Sequence, residues 1–495
     1  MGLDIGTGGC KAVAFSGVGK ELASAFREYP VFHPHPGWAE LNPDEVIDKC
    51  FEAIAEVNEG ISDPVLSMCI SSQGEAVTPL DKDGRTLGNA MVSSDSRASD
   101  IAVEWSRNFG IGKIYKITGH TPHPLFTLYK ILWVKENQPA VWQNARYYLC
   151  FEDLFHFRVG LDPKISWSMA GRTMMFDVIK HQWSRDIVET AGLTTEKLAL
   201  PVAPGEITGT IDLNVGKKLG FKNPVILVAG GHDQTCAALG AGVVEPGMCM
   251  YATGSVECFC PILEEPSFSD ELQKNNLCCY DYTIKGKYTS VAYSLTGGNI
   301  LRWMRDQFGQ SEIALALKTD QVPYTVLLDA MPQTPTDLLV LPYFSATGTP
   351  YFDTMAKGAI MGLQLTTTKG EITKALLEGV AMEMKLNLQL MEKSGMQIST
   401  FIATGGGTRN NKWTQLKADV LNKKIIVNNV KEAGCFGAAL IARSAFEKIP
   451  VEMLLKHIII ENKTFSPNPD NAKLYNKKFE TYRQLYPVLK QFWKA

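Results

Sequence analysis

No stretch of this 495-residue chain approaches the roughly 20 consecutive apolar residues that a membrane helix requires. Excess charge is missing too. The chain carries 49 Lys and Arg against 52 Asp and Glu, a net charge of -3, which leaves no electrostatic footprint for nucleic acid or an anionic membrane. The start has no basic segment followed by an apolar one, so no signal peptide is expected. Met1-Gly2 lacks the Ser or Thr at position 6 that myristoylation wants. The eleven cysteines are odd in number and have no framework spacing, which fits a reducing compartment and a cytoplasmic location. Cys258, Cys260 and the Cys278-Cys279 pair read as small core hydrophobes rather than as a metal cluster. The Gly-x4-Gly-Lys-Ser/Thr phosphate loop, the protein-kinase signature set and Gly-x-Gly-x-x-Gly with a downstream ribose acid are all absent. The common nucleotide folds are thereby excluded.

What is there is one pattern used twice. Leu3-Asp4-Ile5-Gly6-Thr7-Gly8-Gly9, with Lys11 beyond it, reads as strand, tight turn, strand. So does Met250-Tyr251-Ala252-Thr253-Gly254-Ser255. Glycine turns let a backbone approach a ligand and leave N–H groups to face anions. Two such hairpins suggest two similar lobes gripping one phosphate chain, with Gly6, Thr7, Gly8 and Lys11 on one side and Thr253, Gly254 and Ser255 on the other. An acid beside phosphates is unfavourable unless a cation lies between, so Asp4 implies Mg²⁺ held through water. Asp4 and Asp233 are the candidate ligands. The competing reading of Asp4 is a turn residue bonding its own backbone.

Asp233 follows the apolar run Pro224–Ala229 and Gly230-Gly231-His232, and precedes a helix start. That places a carboxylate at the carboxyl end of a buried strand, where α/β proteins bind ligands and where a general base can reach a substrate proton. A structural N-cap is the alternative. Gly405-Gly406-Gly407 through Asn410, between a strand and a helix, suits close approach of a flat ligand such as adenine, and Gly297-Gly298 is a similar wall. Gln73, Glu75 and Asp95 are fixed polar groups at hairpin ends, suited to a substrate with many hydroxyls. Trp38 reads as an apolar plug or core residue. His33, His35, His120 and His123 read as surface or loop-packing residues.

The strand and helix patterns alternate in both halves, which argues α/β. Two large domains are expected at this length. The expected division is 1–243, 244–450 and a C-terminal segment 451–495 of exposed amphipathic helices, with a short hinge near 240–246. Asn42-Pro43-Asp44-Glu45 predicts a helix start, with a buried face at Val46, Ile47, Cys50, Ile54 and Val57. Segments 76–80 and 89–92 around Asp81–Gly84 predict a hairpin. Met1 stands only three residues before Asp4, which leaves open whether the start is truncated.

These residues resemble the FGGY carbohydrate kinases of the actin-like ATPase superfamily, over nearly the whole chain. The resemblance is carried by Leu3–Lys11, Pro36-Gly37-Trp38-Ala39-Glu40, Ser71-Ser72-Gln73, Asp95-Ser96-Arg97, Gly230–Asp233, Ala252–Ser255, Glu378-Gly379, Gly405–Asn410 with Trp413, and Gly437-Ala438-Ala439. It implies two ribonuclease-H-like lobes around a hinged cleft. It also implies transfer of the γ-phosphate of MgATP to a sugar or polyol, such as the ketose xylulose, with Asp233 as base. The departures concern the substrate. Ser93 stands where the family usually has Trp, Gly74-Glu75 follows Gln73, and Ala346–Pro350 lacks the acid and Arg of the family's Gly-Glu-Arg-x-Pro. The implied partners are a small sugar and ATP, with no nucleic acid or membrane, and a homodimer is the oligomer considered. A chaperone-like or filament-forming ATPase of the superfamily and a sugar-sensing pseudokinase are the alternatives.

Overall fold

The computed structural model describes residues 1–458 and 462–493. Its first sheet is built from β1 (Gly2–Ile5), β2 (Gly9–Phe15), β3 (Glu21–Glu28), β4 (Ser67–Ser72), β5 (Ile207–Ile211) and β6 (Val225–His232), in the order β5-β6-β4-β1-β2-β3. β1, β2 and β3 are antiparallel, whereas β4 and β6 run parallel to β1. Helix α1 (Pro43–Glu59) covers this sheet. Asn42 caps it by accepting from the Asp44 and Glu45 amides, Pro43 opens it, and the expected apolar stripe is buried. Each such side chain contributes about 1.5–3 kcal/mol when fully buried.

Helix α2 (Asp233–Gly240) leads into the second sheet, which repeats the first. β7 (Met248–Thr253) and β8 (Glu257–Leu263) form the antiparallel hairpin, and β9 (Ala292–Ser294) adds to β8. Then come α3 (Gly298–Phe308), α4 (Lys369–Lys393), β10 (Thr400–Thr404), α5 (Asn411–Leu421), β11 (Lys424–Asn428) and α6 (Ala433–Glu447). β10 runs parallel to β7, and β11 parallel to β10. In register, Asp4 of β1 lies beside Ser71 of β4, and Ala252 of β7 beside Thr404 of β10. Each hairpin therefore ends beside the strand that leads to the next functional loop.

Two helices tie the lobes together. α6 comes late in the chain yet packs on β1, β4 and β6 of the first sheet and on α2, while α2 touches strands of both sheets. The core between the sheets draws on both halves: Cys69, Val228, Cys236, Met250, Cys260, Ile402 and Phe436 share one cluster.

Three local expectations are corrected. Segments 76–80 and 89–92 meet only at the Val77–Met91 bridge, and the Leu80–Thr86 bridge closes the Asp81–Gly84 turn ahead of the second segment. Thr78–Leu80 pairs instead with Tyr147–Leu149, and Ala90–Met91 with Glu40–Leu41. Val77, Leu80, Ala90 and Met91 are all buried, so these segments need neighbours on more than one side. The stretch 279–294, which reads as strand from its sequence, is broken into three short strands. The segment after Pro450 is not only exposed helices. β12 (Asn462–Phe465) adds an antiparallel strand to β11, and α7 (Pro469–Tyr482) buries Tyr475, Phe479 and Tyr482. Those tyrosines bond acids of α4: Tyr475 donates to Glu378 at 2.9 Å, and Tyr482 to Glu383 at 2.6 Å.

Candidate active site

The first hairpin turn is held from three sides. Tyr29 Oη donates to the Gly6 carbonyl at 2.6 Å, Gln73 Nε2 donates to the same oxygen at 2.9 Å, and Thr7 Oγ1 donates to Gln73 Oε1 at 3.1 Å. Gln73 was expected on the sugar side. Its amide is instead committed to shaping the Gly6–Gly8 turn, because β4 lies beside β1 and ends there. Lys11 was expected to face phosphate, but its Nζ lies 2.5 Å from Glu432, just ahead of α6. Asp4 Oδ1 accepts from Ser71 Oγ at 2.6 Å. Its carboxylate lies against Gly434, where a Cβ would stand 3.3 Å away. Burial raises the Asp4 pKa, the Ser71 hydrogen bond opposes this, Glu432 adds to the rise and Lys11 counters it.

On the second lobe the expected glycines converge. Thr253 Oγ1 donates to the Thr404 carbonyl at 2.8 Å, and the Gly298 amide donates to the Gly254 carbonyl at 2.8 Å. Gly405 has φ 91, and a Cβ there would stand 2.7 Å from the Thr253 carbonyl oxygen. Only glycine takes that conformation without strain. Gly254, Ser255, Gly298, Gly406, Gly407 and Asn410 line a cleft of about 650 Å³. Gly297 lies behind it, against Val256 and Glu257. Asn410 Oδ1 caps α5 by accepting from the Lys412 and Trp413 amides. Arg409 of the expected Gly405–Asn410 segment lines the same cleft, whereas sequence reasoning missed Arg302 and Tyr324, which also line it, and the buried Lys417–Glu257 pair at 2.5 Å beneath it. Lone charges and aromatics carry no motif.

Asp233 opens α2 directly after β6, with a side chain about one-third exposed (34%). Its Oδ1 has no hydrogen-bond partner, although His232 Nε2 stands 3.2 Å away, out of line for a bond. His232 Nδ1 bonds the Tyr280 hydroxyl at 2.9 Å. Burial pushes the Asp233 pKa up to about 7. The charges of Asp4 and Glu75 push in the same direction, and hydrogen bonding from Gln234 partly offsets them. Asp233 thus feels one carboxylate from β1 and one from just beyond the end of β4.

Glu75 stands in left-handed backbone at φ 66, a strained conformation for a side-chain-bearing residue. Thr127 Oγ1 and Lys130 Nζ hold it there by donating to its carbonyl at 3.0 and 3.1 Å. Its carboxylate pairs with Arg172. Arg172 Nη1 in turn bonds Nε2 of His120 at 3.1 Å. His120 was expected at a surface or in loop packing; it is 1% exposed. Asp95 was expected to meet substrate directly. Its oxygens are consumed by the Ala39 amide at 2.7 Å and by Arg97, and its side chain is 0% exposed. Trp38 is half-buried, and the Arg97 guanidinium lies 3.6 Å over its ring.

Mg²⁺ fits this arrangement. Among the described residues no three His, Cys, Asp or Glu side chains converge to hold an ion alone. Mg²⁺ keeps several waters and needs only one or two carboxylates besides substrate phosphates. Asp4 and Asp233 raise no such cage, but the orphaned Asp233 Oδ1 and the electrostatic strain between the two acids both call for a cation or a proton.

The comparisons with known proteins follow the same outline. The FGGY family of carbohydrate kinases, N-terminal domain, matches residues 1–240, and its C-terminal domain matches residues 251–446. The chain is 26% identical to the xylulose kinase of Bacillus subtilis (strain 168) over 494 residues, covering 98% of this chain and 96% of that one. It is 26% identical to the gluconokinase of Bacillus licheniformis, covering 99% and 96%. The solved ligand-bound xylulose kinase from Lactobacillus acidophilus superposes with a TM-score of 0.89 at 25% identity, covering 99% of this chain and 98% of that one. With both domains matched in order and the paired-hairpin architecture in place, the chain belongs to the FGGY family of carbohydrate kinases, phosphotransferases whose acceptor is an alcohol group.

Proposed function

We propose that the chain transfers the γ-phosphate of MgATP to a hydroxyl of a sugar or polyol, with a ketose such as xylulose as acceptor and Asp233 as general base. The observation that carries this reading is the place of Asp233. It stands at the head of α2 with an unpartnered Oδ1, a pKa near 7, and Asp4 and Glu75 as its electrostatic neighbours. A base with a pKa near the working pH accepts a proton efficiently and releases it again.

The glycine-lined cleft at Gly254, Gly298, Gly406 and Gly407 would take the nucleotide, with adenine toward Asn410. The hairpin turns at Gly6–Gly8 and Thr253–Ser255 would offer N–H groups to the phosphates. Mg²⁺ on Asp4 and Asp233, through water, would supply charge neutralisation for the triphosphate. Glu75 and Arg172 would orient the acceptor, with Gln73 and Asp95 acting one layer behind by holding the first turn and Arg97. Asp233 takes the hydroxyl proton as the acceptor oxygen bonds to the γ-phosphorus and the bond from that phosphorus to the β-phosphate oxygen breaks. Positioning and electrostatics supply most of the acceleration in such a transfer. Residues 1–243 would then carry the acceptor side, residues 244–450 the nucleotide side, and 451–495 would buttress the second lobe.

Xylulose kinases and a gluconokinase stand among the relatives at similar identity, which supports the class and makes the acceptor an experimental question. The test is an ADP-release screen with MgATP across pentuloses, hexuloses, aldonates and short polyols. ADP release stimulated by a ketose supports the reading. ADP release at one rate with every acceptor and with none would reject it.

A further inference from the structure

Gly74 leaves the space that Arg172 fills. A Cβ at 74 would lie 3.2 Å from both Cβ and Cγ of Arg172. Arg172 follows the short helix Trp167–Gly171 and crosses to the hairpin end, where its Nε donates to Glu75 Oε1 at 2.5 Å and its Nη2 pairs with the same oxygen. The rings of Phe126 and Tyr280 flank the guanidinium at 5.2 and 5.5 Å. On its far side stands His120. His120 Nδ1 bonds the Thr118 carbonyl at 2.8 Å and therefore carries the ring hydrogen, leaving Nε2 to accept from Arg172 at 3.1 Å. His120 is thus neutral and adds no charge; burial first, and then Arg172, hold its pKa down to about 3.

The charges that face this spot can be named. Arg172 is matched by Glu75. Lys130, fully buried, points its Nζ at the Glu75 carbonyl. His123 is held neutral by burial, with Lys130 and Arg172 adding to the effect. Asp233 and Asp4 are acids. Two cations, Arg172 and the fully buried Lys130, stand against three acids, Glu75, Asp4 and Asp233, so an acceptor with a carboxylate meets an excess of acids. A hydroxyl can instead donate to a carboxylate and accept from a guanidinium N–H.

We propose that Arg172, with its charge taken up by Glu75, is a specificity-determining residue that limits the acceptor to uncharged ketoses and polyols and excludes aldonates. This rests on the reading of the cleft as a sugar-phosphorylating site. The pair gives direction to hydroxyls while presenting no net positive charge, and like charges set side by side discriminate strongly.

The experiment measures kcat/KM on the full chain with MgATP for ketoses and alditols of four to six carbons and for aldonates of matching length. The wild-type protein favours its best uncharged acceptor over every aldonate by about 100-fold or more. A wild-type preference for an aldonate, or parity within about tenfold, overturns the inference and leaves the kinase reading intact. Glu75→Gln keeps the shape and an acceptor oxygen but frees the Arg172 charge. It moves the ratio toward aldonates by about tenfold or more, and gluconate raises its melting temperature in the absence of ATP. The double variant Glu75→Gln/Arg172→Gln loses both gains. No shift in the ratio and no gluconate stabilisation in folded Glu75→Gln overturns the inference. Should that variant not fold, Arg172→Gln decides: the KM of the best acceptor rises about tenfold or more with the KM of ATP unchanged, and an unchanged acceptor KM overturns the assignment. Wild-type protein that binds ATP but phosphorylates neither class overturns the kinase-site reading beneath it.

Discussion

Gly240, at the end of α2, lies so close to Ala433, at the start of α6, that a methyl group at 240 would stand 1.9 Å from the Ala433 carbonyl oxygen. The contact is reciprocal along the crossing: a Cβ at Gly437 would stand 2.0 Å from the Cys236 carbonyl oxygen. Backbone meets backbone where the two interlobe helices cross, so neither position has slack to absorb a side chain.

Gly240→Ala and Gly437→Ala are therefore expected to destabilise the chain by about 1–3 kcal/mol each through overpacking. Chemical denaturation followed by circular dichroism checks this. Because both substitutions strain one crossing, the double variant should cost less than the sum of the two singles. A full additive loss would mean that the helices do not share this contact.

Asp233→Asn should lower turnover by about 10²–10⁴-fold while nucleotide binding, read by equilibrium titration with ADP, stays within a few-fold of wild type. The wild-type rate should follow the ionisation of the base. Below pH of about 7, kcat/KM for the acceptor falls with the fraction of ionised Asp233, and above it the profile flattens. Turnover of Asp233→Asn within a few-fold of wild type would remove Asp233 from proton transfer.

Glu383 offers a stability test away from the cleft. It is buried in α4, accepts from Tyr343 and Tyr482, and burial pushes its pKa up to about 7 from an ordinary 4.5. A carboxyl raised in this way stabilises the fold fully below the unfolded value. That contribution fades as pH rises through the folded value, because the folded state binds the extra proton. Glu383→Gln cannot ionise. Relative to wild type, the variant should gain stability between pH 5 and pH 8, by something on the order of 1–3 kcal/mol. Melting curves of both proteins at the two pH values measure the difference, and a gap that does not change with pH would show that Glu383 titrates normally.

Gly405→Ala tests the nucleotide wall. The φ of 91 and the Thr253 carbonyl oxygen 2.7 Å from the new methyl combine strain with a clash at the second hairpin. The expected result is a KM for ATP raised about tenfold or more, with the acceptor KM moved far less. Equal changes in both constants would point to general unfolding instead.

Much of this architecture is legible one segment at a time. The cap of α1, the apolar run of β6, and the strand Thr400–Thr404 running into three glycines are all local events. Their causes lie within a few residues: an Asn side chain reaching an amide, a proline at the first helical position, glycine where φ turns positive. The paired hairpins are legible for the same reason, and so is Asp233 at the head of α2. The reading failed where partners come from far along the chain. Residues 76–80 and 89–92 look like a hairpin from their turn, but their buried faces recruit Tyr147–Leu149 and Glu40–Leu41. β12 was missed because Asn462–Phe465 has one buried residue and gains its place only by pairing with β11.

By itself the sequence determined the repeated hairpin, the glycine loops, the carboxylate at 233 and the α/β class, because each rests on backbone conformations and spacings that neighbouring residues enforce. Tertiary structure alone decided which polar groups are spent and which remain free. It turned Gln73 inward to the first turn, bound Asp95 to Arg97, brought Lys11 to Glu432, and delivered Arg172 and a buried His120 to Glu75. Charge pairing and burial depend on distances across the fold, and residues as far apart as Lys11 and Glu432, 421 positions, meet only once both sheets and their crossing helices are in place.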